Sequence, residues 1–211
     1  MNLHHLRATV AIGCTPRRQV LVALAWMALL LVPAVRHWLT ASMWRHMVLQ
    51  FPLWMLAGAW LAAGLPPAAR ARAVRWNAHG ISGLVATGTV LAVLMVPRVL
   101  DLALVSAPIE AAKCVALVVA GTALRLSWRA AGLVVQGFFL GNMLPMTAVV
   151  GQLYIDSPLR LCNAYLLDDQ ARLGQWLVGA AVLVAVGWLA QVAWWVARRE
   201  GASAVWVSDK G

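Results

Sequence analysis

The chain has 211 residues, of which 63% are hydrophobic and only 11% charged, and it carries a formal net charge of +10. A soluble domain of this length is rarely so apolar, so composition excludes an ordinary globular enzyme and points to a membrane protein. Its basic residues fall between apolar runs, where they attract anionic headgroups, and this excludes nucleic acid as the partner of the charge.

Apolar runs cover roughly residues 19–36, 43–65, 78–100, 106–126, 131–153 and 171–197, each near the ~20 residues needed to cross a bilayer's hydrocarbon core. Runs of helical length without period-two alternation exclude a β-barrel. The sequence therefore predicts an all-α, polytopic transmembrane helix bundle of six spans. It has a 1–18 N-terminal segment, a 19–197 transmembrane domain and a 198–211 tail.

The first segment holds Arg7, Arg17 and Arg18. Thr15-Pro16-Arg17-Arg18 loosely resembles a twin-arginine export signal, but no small-x-small cleavage site closes the run at Val35-Arg36-His37-Trp38, so an uncleaved first helix is expected. In span two, Pro52 cannot donate to the carbonyl of Val48 and favours a kink. Span four is the one with ionised groups, Glu110 and Lys113, inside its apolar run, a costly placement that demands partners. In span five, Gly137 and Gly141 form a small-xxx-small spacing that permits close helix contact.

Basic residues also orient the chain. Eleven lie in the N-terminal segment, alternate gaps and the tail (Arg7, Arg17, Arg18, Arg70, Arg72, Arg75, Arg125, Arg129, Arg198, Arg199, Lys210), against five in the other gaps (Arg36, Arg45, Arg98, Arg160, Arg172). The positive-inside rule then places both termini in the cytoplasm of a bacterial inner membrane, with membrane lipid as the surrounding partner. Trp38, Trp44, Trp76, Trp128, Trp194, Trp195 and Trp206 fall near the interfaces, as belt residues do.

On this topology several metal-ligating side chains share one depth. His46 sits ~5 Å below the outer end, Met95 ~7 Å, Met146 ~10 Å and Cys114 ~12 Å, at about 1.5 Å rise per residue. Met43, His46 and Met47 lie on one helix face by their i, i+3 and i+4 spacing. Imidazole, thiolate and thioether are a ligand set suited to copper, and Glu110, one turn above Cys114, could add an oxygen. The bland alternative is that Met and Cys are apolar filler and that Glu110 and Lys113, three apart, form a local ion pair. Glu110 and Cys114 count as ligands only if Lys113 turns elsewhere. His79 and Asn77 read as a helix cap, and His4 and His5 as a mobile tail. Cys14, Cys114 and Cys162 imply no disulfide framework.

No nucleophile with a base and an orienting group is visible, nor a phosphate-binding glycine loop or paired haem histidines. Enzyme activity is disfavoured.

Three stretches resemble the CtaG-like cytochrome c oxidase assembly-factor family. His46-Met47-Val48-Leu49-Gln50 looks like the family's His-Met-x-x-His helix. The run Met95-Val96-Pro97-Arg98 to Leu104, followed by Pro108 to Cys114 and Ala120-Gly121, is similar to its Trp-His-x-Pro loop and His-x-x-x-His helix. Asp168-Asp169-Gln170 with Gly174 and Trp176 is similar to its Asp-Gln-Gln start. The likeness covers about residues 43–199. Met95, Glu110, Cys114 and Gln50 stand where the family has histidines, and His46 alone is retained.

The resemblance implies an assembly factor for a copper-containing respiratory oxidase complex, holding or transferring copper at the outer leaflet. His46, Met47 and Cys114 would be ligands, Met95 and Met146 secondary, and Asp169 and Gln170 would close the outer mouth. A non-catalytic accessory subunit of a respiratory complex is the alternative. A small-molecule transporter comes third, weakened by the lack of an internal repeat.

Overall fold

A computed structural model describes residues 15–208, with side chains described as far as Arg198. His4, His5, Arg7, Cys14 and Lys210, and the side chains of Arg199 and Trp206, lie outside the described residues. All regular structure among the described residues is helical: α1 (Pro16–Leu31), α2 (Pro33–Thr40), a π-helical turn (Arg45–Gln50), α3 (Phe51–Leu61) with a short 3-10 end, α4 (Pro67–Trp76), α5 (Ile81–Leu94), α6 (Pro97–Val105), α7 (Ala107–Asp156) and α8 (Leu167–Ser208).

Prolines set most of the boundaries. Val32 precedes Pro33 and Val96 precedes Pro97, and both take extended backbone, with ψ of 127° and 121°. Proline's ring disfavours helical geometry in the residue before it, so α1 and α2 meet at 71°. Between α4 and α5, bent by 88°, the chain turns through Gly80 at φ 71°, where an added Cβ would also run into the Ser127 carbonyl and Ala131. The segment Arg45–Gly64, α7 and Leu167–Arg198 are long and apolar enough to cross a membrane, and counting each bent pair as one span brings the number to five.

The long helix α7 is not one rod. Gly132 breaks it at φ 63°, ψ 175°, and its halves fold back beside each other. Thr87 donates to the Ala120 carbonyl at 3.1 Å, while the adjacent Gly88 faces Met143 and Phe139. On an unbroken helix Ala120 and Met143 would be roughly 35 Å apart.

The remaining contacts run antiparallel. Gly58 of α3 lies on the backbone of Val118, and Gly121 lies on the backbone of Met55. Trp188 of α8 covers Gly137, and Gly174 abuts Gly151. On α1, Trp26 donates to the Leu53 carbonyl at 3.2 Å and meets Trp60 edge-on.

The close backbone approach expected at Gly137 and Gly141 thus occurs elsewhere. Gly137 meets the Trp188 ring and Gly141 has nothing within 4 Å, whereas the Gly58–Val118, Gly121–Met55 and Gly151–Gly174 pairs bring backbones together. At Pro52, where a kink is expected, a π-helical turn runs directly into α3, and Arg45–Gly64 forms one helical segment. The core gathers where that turn meets α7 and α8, around Met43, Met47, Phe51, Leu100, Leu117, Tyr165 and Leu173.

Candidate functional site: a buried polar network

Three segments contribute polar side chains to this core. The π-helical turn supplies His46 and Gln50, α7 supplies Glu110 and Lys113, and the loop before α8 supplies Tyr165; all five are buried. A π turn makes i to i+5 bonds, so it winds more widely than an α turn. His46 and Gln50, four apart, both reach the same lysine.

Lys113 is the hub. Its Nζ lies 2.5 Å from His46 Nε2, donates to Gln50 Oε1 at 2.9 Å and pairs with Glu110 Oε2 at 2.7 Å. Gln50 Nε2 donates to Glu110 Oε1 at 3.5 Å, and the Cys114 thiol points at the same oxygen from 3.9 Å. On the far side His46 Nδ1 lies 2.9 Å from Tyr165 Oη, which itself donates to the Thr40 carbonyl at 2.8 Å. The pattern assigns the tautomer. Tyr165 spends its proton on Thr40, so it accepts from His46 Nδ1–H, leaving Nε2 as the acceptor for the ammonium.

Asp169 and Gln170 organise the end of the bundle beside the Tyr165 loop. Asp169 accepts from Ser42 Oγ at 2.6 Å and from the Met43 amide at 2.5 Å, which places a carboxylate at the amino end of the helix carrying His46, where the dipole favours negative charge. Gln170 accepts from the Leu161 amide at 2.8 Å and donates to the Tyr154 and Leu159 carbonyls. Asp101 accepts from the amides of Asn163 and Ala164, and Arg160 donates to the Tyr165 carbonyl. The 157–166 loop is therefore tied from both flanks. In it, Cys162 donates to the Pro97 carbonyl, and its thiol is pushed up to about 12, first by burial and then by the nearby Asp101 carboxylate.

Of the six expected copper ligands, His46, Glu110 and Cys114 gather around Lys113, whereas Met47, Met95 and Met146 do not join them. Lys113 does not turn elsewhere: the local ion pair with Glu110 forms, and the ammonium takes the His46 nitrogen that a metal would need. Met47 is packed into the apolar core and Met95 lies half-buried against it, its carbonyl accepting from Tyr154. Met146 is 63% exposed on the outside of the bundle, because helical rotation carries it away from the network. Cys114 alone stays beside Glu110. Among the described residues no group of three or more His, Cys, Asp or Glu side chains is placed to hold an ion. With its imidazole facing a cation, this donor set does not fit copper.

Tyr165 and Gln50 carry more of the site than the sequence alone assigns them. Gln50 had a signal, because it stands at i+4 from His46. Tyr165 had none, lying 119 residues from its partner in a loop. Asn77 does cap as expected, accepting from the Gly83 amide at 3.0 Å and also reaching Ser127 Oγ at 2.7 Å. Comparison with protein-family models, with curated proteins and with solved structures finds no match to this chain.

Proposed function

We propose that this protein is a non-catalytic membrane component that assists or accompanies a respiratory oxidase complex through protein contacts, without copper as its cargo. The supporting observation is the way Lys113 is used. Its contacts go to His46, Gln50 and Glu110, so the buried Lys113–Glu110 pair serves to hold this part of the bundle together. Intramembrane charges of this kind are retained for function or for a specific architecture, and here the partners are internal.

What the chain offers outward is apolar. A groove of about 350 Å³ between the second half of α7 and α8, with Gly141, Pro145, Ala148, Val182 and Ala185 among its walls, suits an apolar helix from another membrane protein. The respiratory client comes from the family resemblance. Six spans follow if the bent pairs and the two halves of α7 each cross the bilayer; the sorting of arginines then puts both termini in the cytoplasm of a bacterial inner membrane.

The test is a photo-crosslinking amino acid placed at Ala185 in native membranes. A crosslink to an oxidase subunit, with loss of oxidase haem absorbance on deleting the gene, is the expected result. Crosslinks to lipid alone with unchanged oxidase would sink the reading. Near-stoichiometric copper on protein purified in reducing buffer, lost in a His46→Ala, Cys114→Ser double variant, would replace it with the copper-holding alternative.

A further inference from the structure

The first half of α7 turns one face to an open cleft. From Ala107 to Val119 its lining residues recur every third or fourth position, and α1 and α3 close the other sides with Met27, Leu30 and Trp54. The cleft holds about 370 Å³ and is walled almost wholly by apolar side chains. Ala107 to Val119 covers about 18 Å at ~1.5 Å rise per residue. One leaflet's share of the hydrocarbon core is about 15 Å, so the cleft matches in length an acyl chain within one leaflet.

A second recess of about 320 Å³ adjoins it and is more polar, with His37 and Thr40 in its walls. The two share Leu31, Arg36 and Glu110. The recess is otherwise lined by α2 and the end of α6, so it lies at the end of the cleft where α7 begins. The 71° bend after α1 brings α2, and with it Arg36, to that position. Charge at this junction is unbalanced. Lys113 and Glu110 neutralise each other at 2.7 Å, whereas Arg36 is exposed and its guanidinium has no hydrogen bond or ion pair among the described residues. An apolar slot one leaflet deep thus ends at an uncompensated cation.

That combination selects its occupant. The slot suits one acyl chain, and the planar guanidinium suits a phosphate, to which it donates in pairs. A second chain can remain in the bilayer against the exposed Val115 and Val119. In a zwitterionic headgroup an ammonium offsets the phosphate and needs a carboxylate of its own, but Glu110 is buried and already paired with Lys113. We propose that this cleft holds one anionic phospholipid, with its phosphate on Arg36 and one acyl chain along α7. The proposal does not depend on the oxidase partner suggested above.

The test is native mass spectrometry of the full chain, delipidated in detergent and then offered equimolar phosphatidylglycerol and phosphatidylethanolamine with the same acyl chains, with oleate in a separate arm. One phosphatidylglycerol should be retained about three- to sixfold in preference to phosphatidylethanolamine, the increment expected from one arginine near a membrane surface. Arg36→Gln should remove the preference with an unchanged melting temperature, and Arg36→Lys should keep most of it. Arg172→Gln, at an exposed arginine elsewhere, should leave it intact. Ala111→Phe, which adds a ring to the cleft from the exposed face of α7, should lower retention of both lipids severalfold. The proposal is overturned if the two lipids are retained equally, if Arg36→Gln and Arg172→Gln act alike, if oleate alone binds in a manner that depends on Arg36, or if the protein emerges as a dimer without lipid.

Discussion

Lys113 crosses from α7 to stand 2.5 Å from the Nε2 of His46, so the imidazole serves as an acceptor for an ammonium group inside the bundle. The relation orders the other partners. The ammonium also engages Gln50 and Glu110, while Tyr165 holds the opposite ring nitrogen.

Removing the hub should therefore be severe. Lys113→Met leaves the Glu110 carboxylate buried and uncompensated, and breaking a buried pair by deleting one partner costs about 3–5 kcal/mol. The same change combined with Glu110→Gln removes both charges and should recover much of the loss. Thermal unfolding followed by size-exclusion fluorescence in detergent checks this; a double variant no better than Lys113→Met would show that the pair is not what is being measured.

His46→Phe should cost less, about 1–3 kcal/mol, because it removes a neutral acceptor and leaves Tyr165 and Lys113 each short of a bond. Tyr165→Phe should produce a loss of similar kind through His46 Nδ1. The two effects should not add, since both act on one chain of bonds, and a double-mutant cycle with full additivity would refute the network.

Helix contact at Gly58 and Gly121 admits no side chain. A Cβ at either position would land on the backbone of Val118 or Met55, and backbone cannot swing aside. Each Gly→Ala change should cost at least about 1–3 kcal/mol through forced separation of α3 and α7. The same substitution at Gly141, where nothing lies within 4 Å, should be silent in the same melting assay.

The 157–166 loop should show a dependence on pH. Burial holds the Cys162 thiol up to about 12, and burial likewise raises the Tyr165 phenol. The folded state keeps these protons where the unfolded chain loses them, so stability is full below the ordinary thiol value near 9 and falls as pH rises from there towards 12. Cys162→Ala should flatten that decline. In the folded protein at pH 8, Cys162 should resist a maleimide that labels it after denaturation; rapid labelling of native protein would contradict the burial.

Asp169→Asn should weaken the amino end of the helix carrying His46. Loss of a charged cap there costs about 1–2 kcal/mol, and hydrogen exchange should rise first at the amides of Met43 to His46. Protection unchanged at those amides would mean that Ser42 alone suffices.

Much of the architecture was legible in the sequence because hydropathy and proline act locally. Apolar runs and the cap at Asn77 depend on neighbours a few residues away, whereas the break in α7 falls at Gly132, inside the run expected to form the fifth span and not in the gap expected at 127–130. The ion pair of Glu110 with Lys113 was legible for the same reason, being i to i+3. The convergence of His46, Lys113 and Tyr165 was not, since helix rotation decides which residues of equal depth share an interior. Distance from a helix end is one coordinate and says nothing of the direction in which a side chain points, and Met146 points out of the bundle. The glycines that matter were obscured too, because small-xxx-small spacing describes one helix while close approach needs a complementary backbone on another.

The π-helical turn at Arg45–Gln50 amounts to one extra residue wound into a helix that otherwise follows α geometry. Because the wider turn absorbs that residue, six residues here wind through nearly the same angle as about five in an α-helix, and deleting one of them, Val48 for example, would let the segment relax to an α-helix with little rotation of what precedes it. A one-residue gap in the regular turns of α3 would instead rotate His46 by about 100° away from Lys113. The π-helical turn is thus the place where this helix can gain or lose a residue with its polar interior still in register.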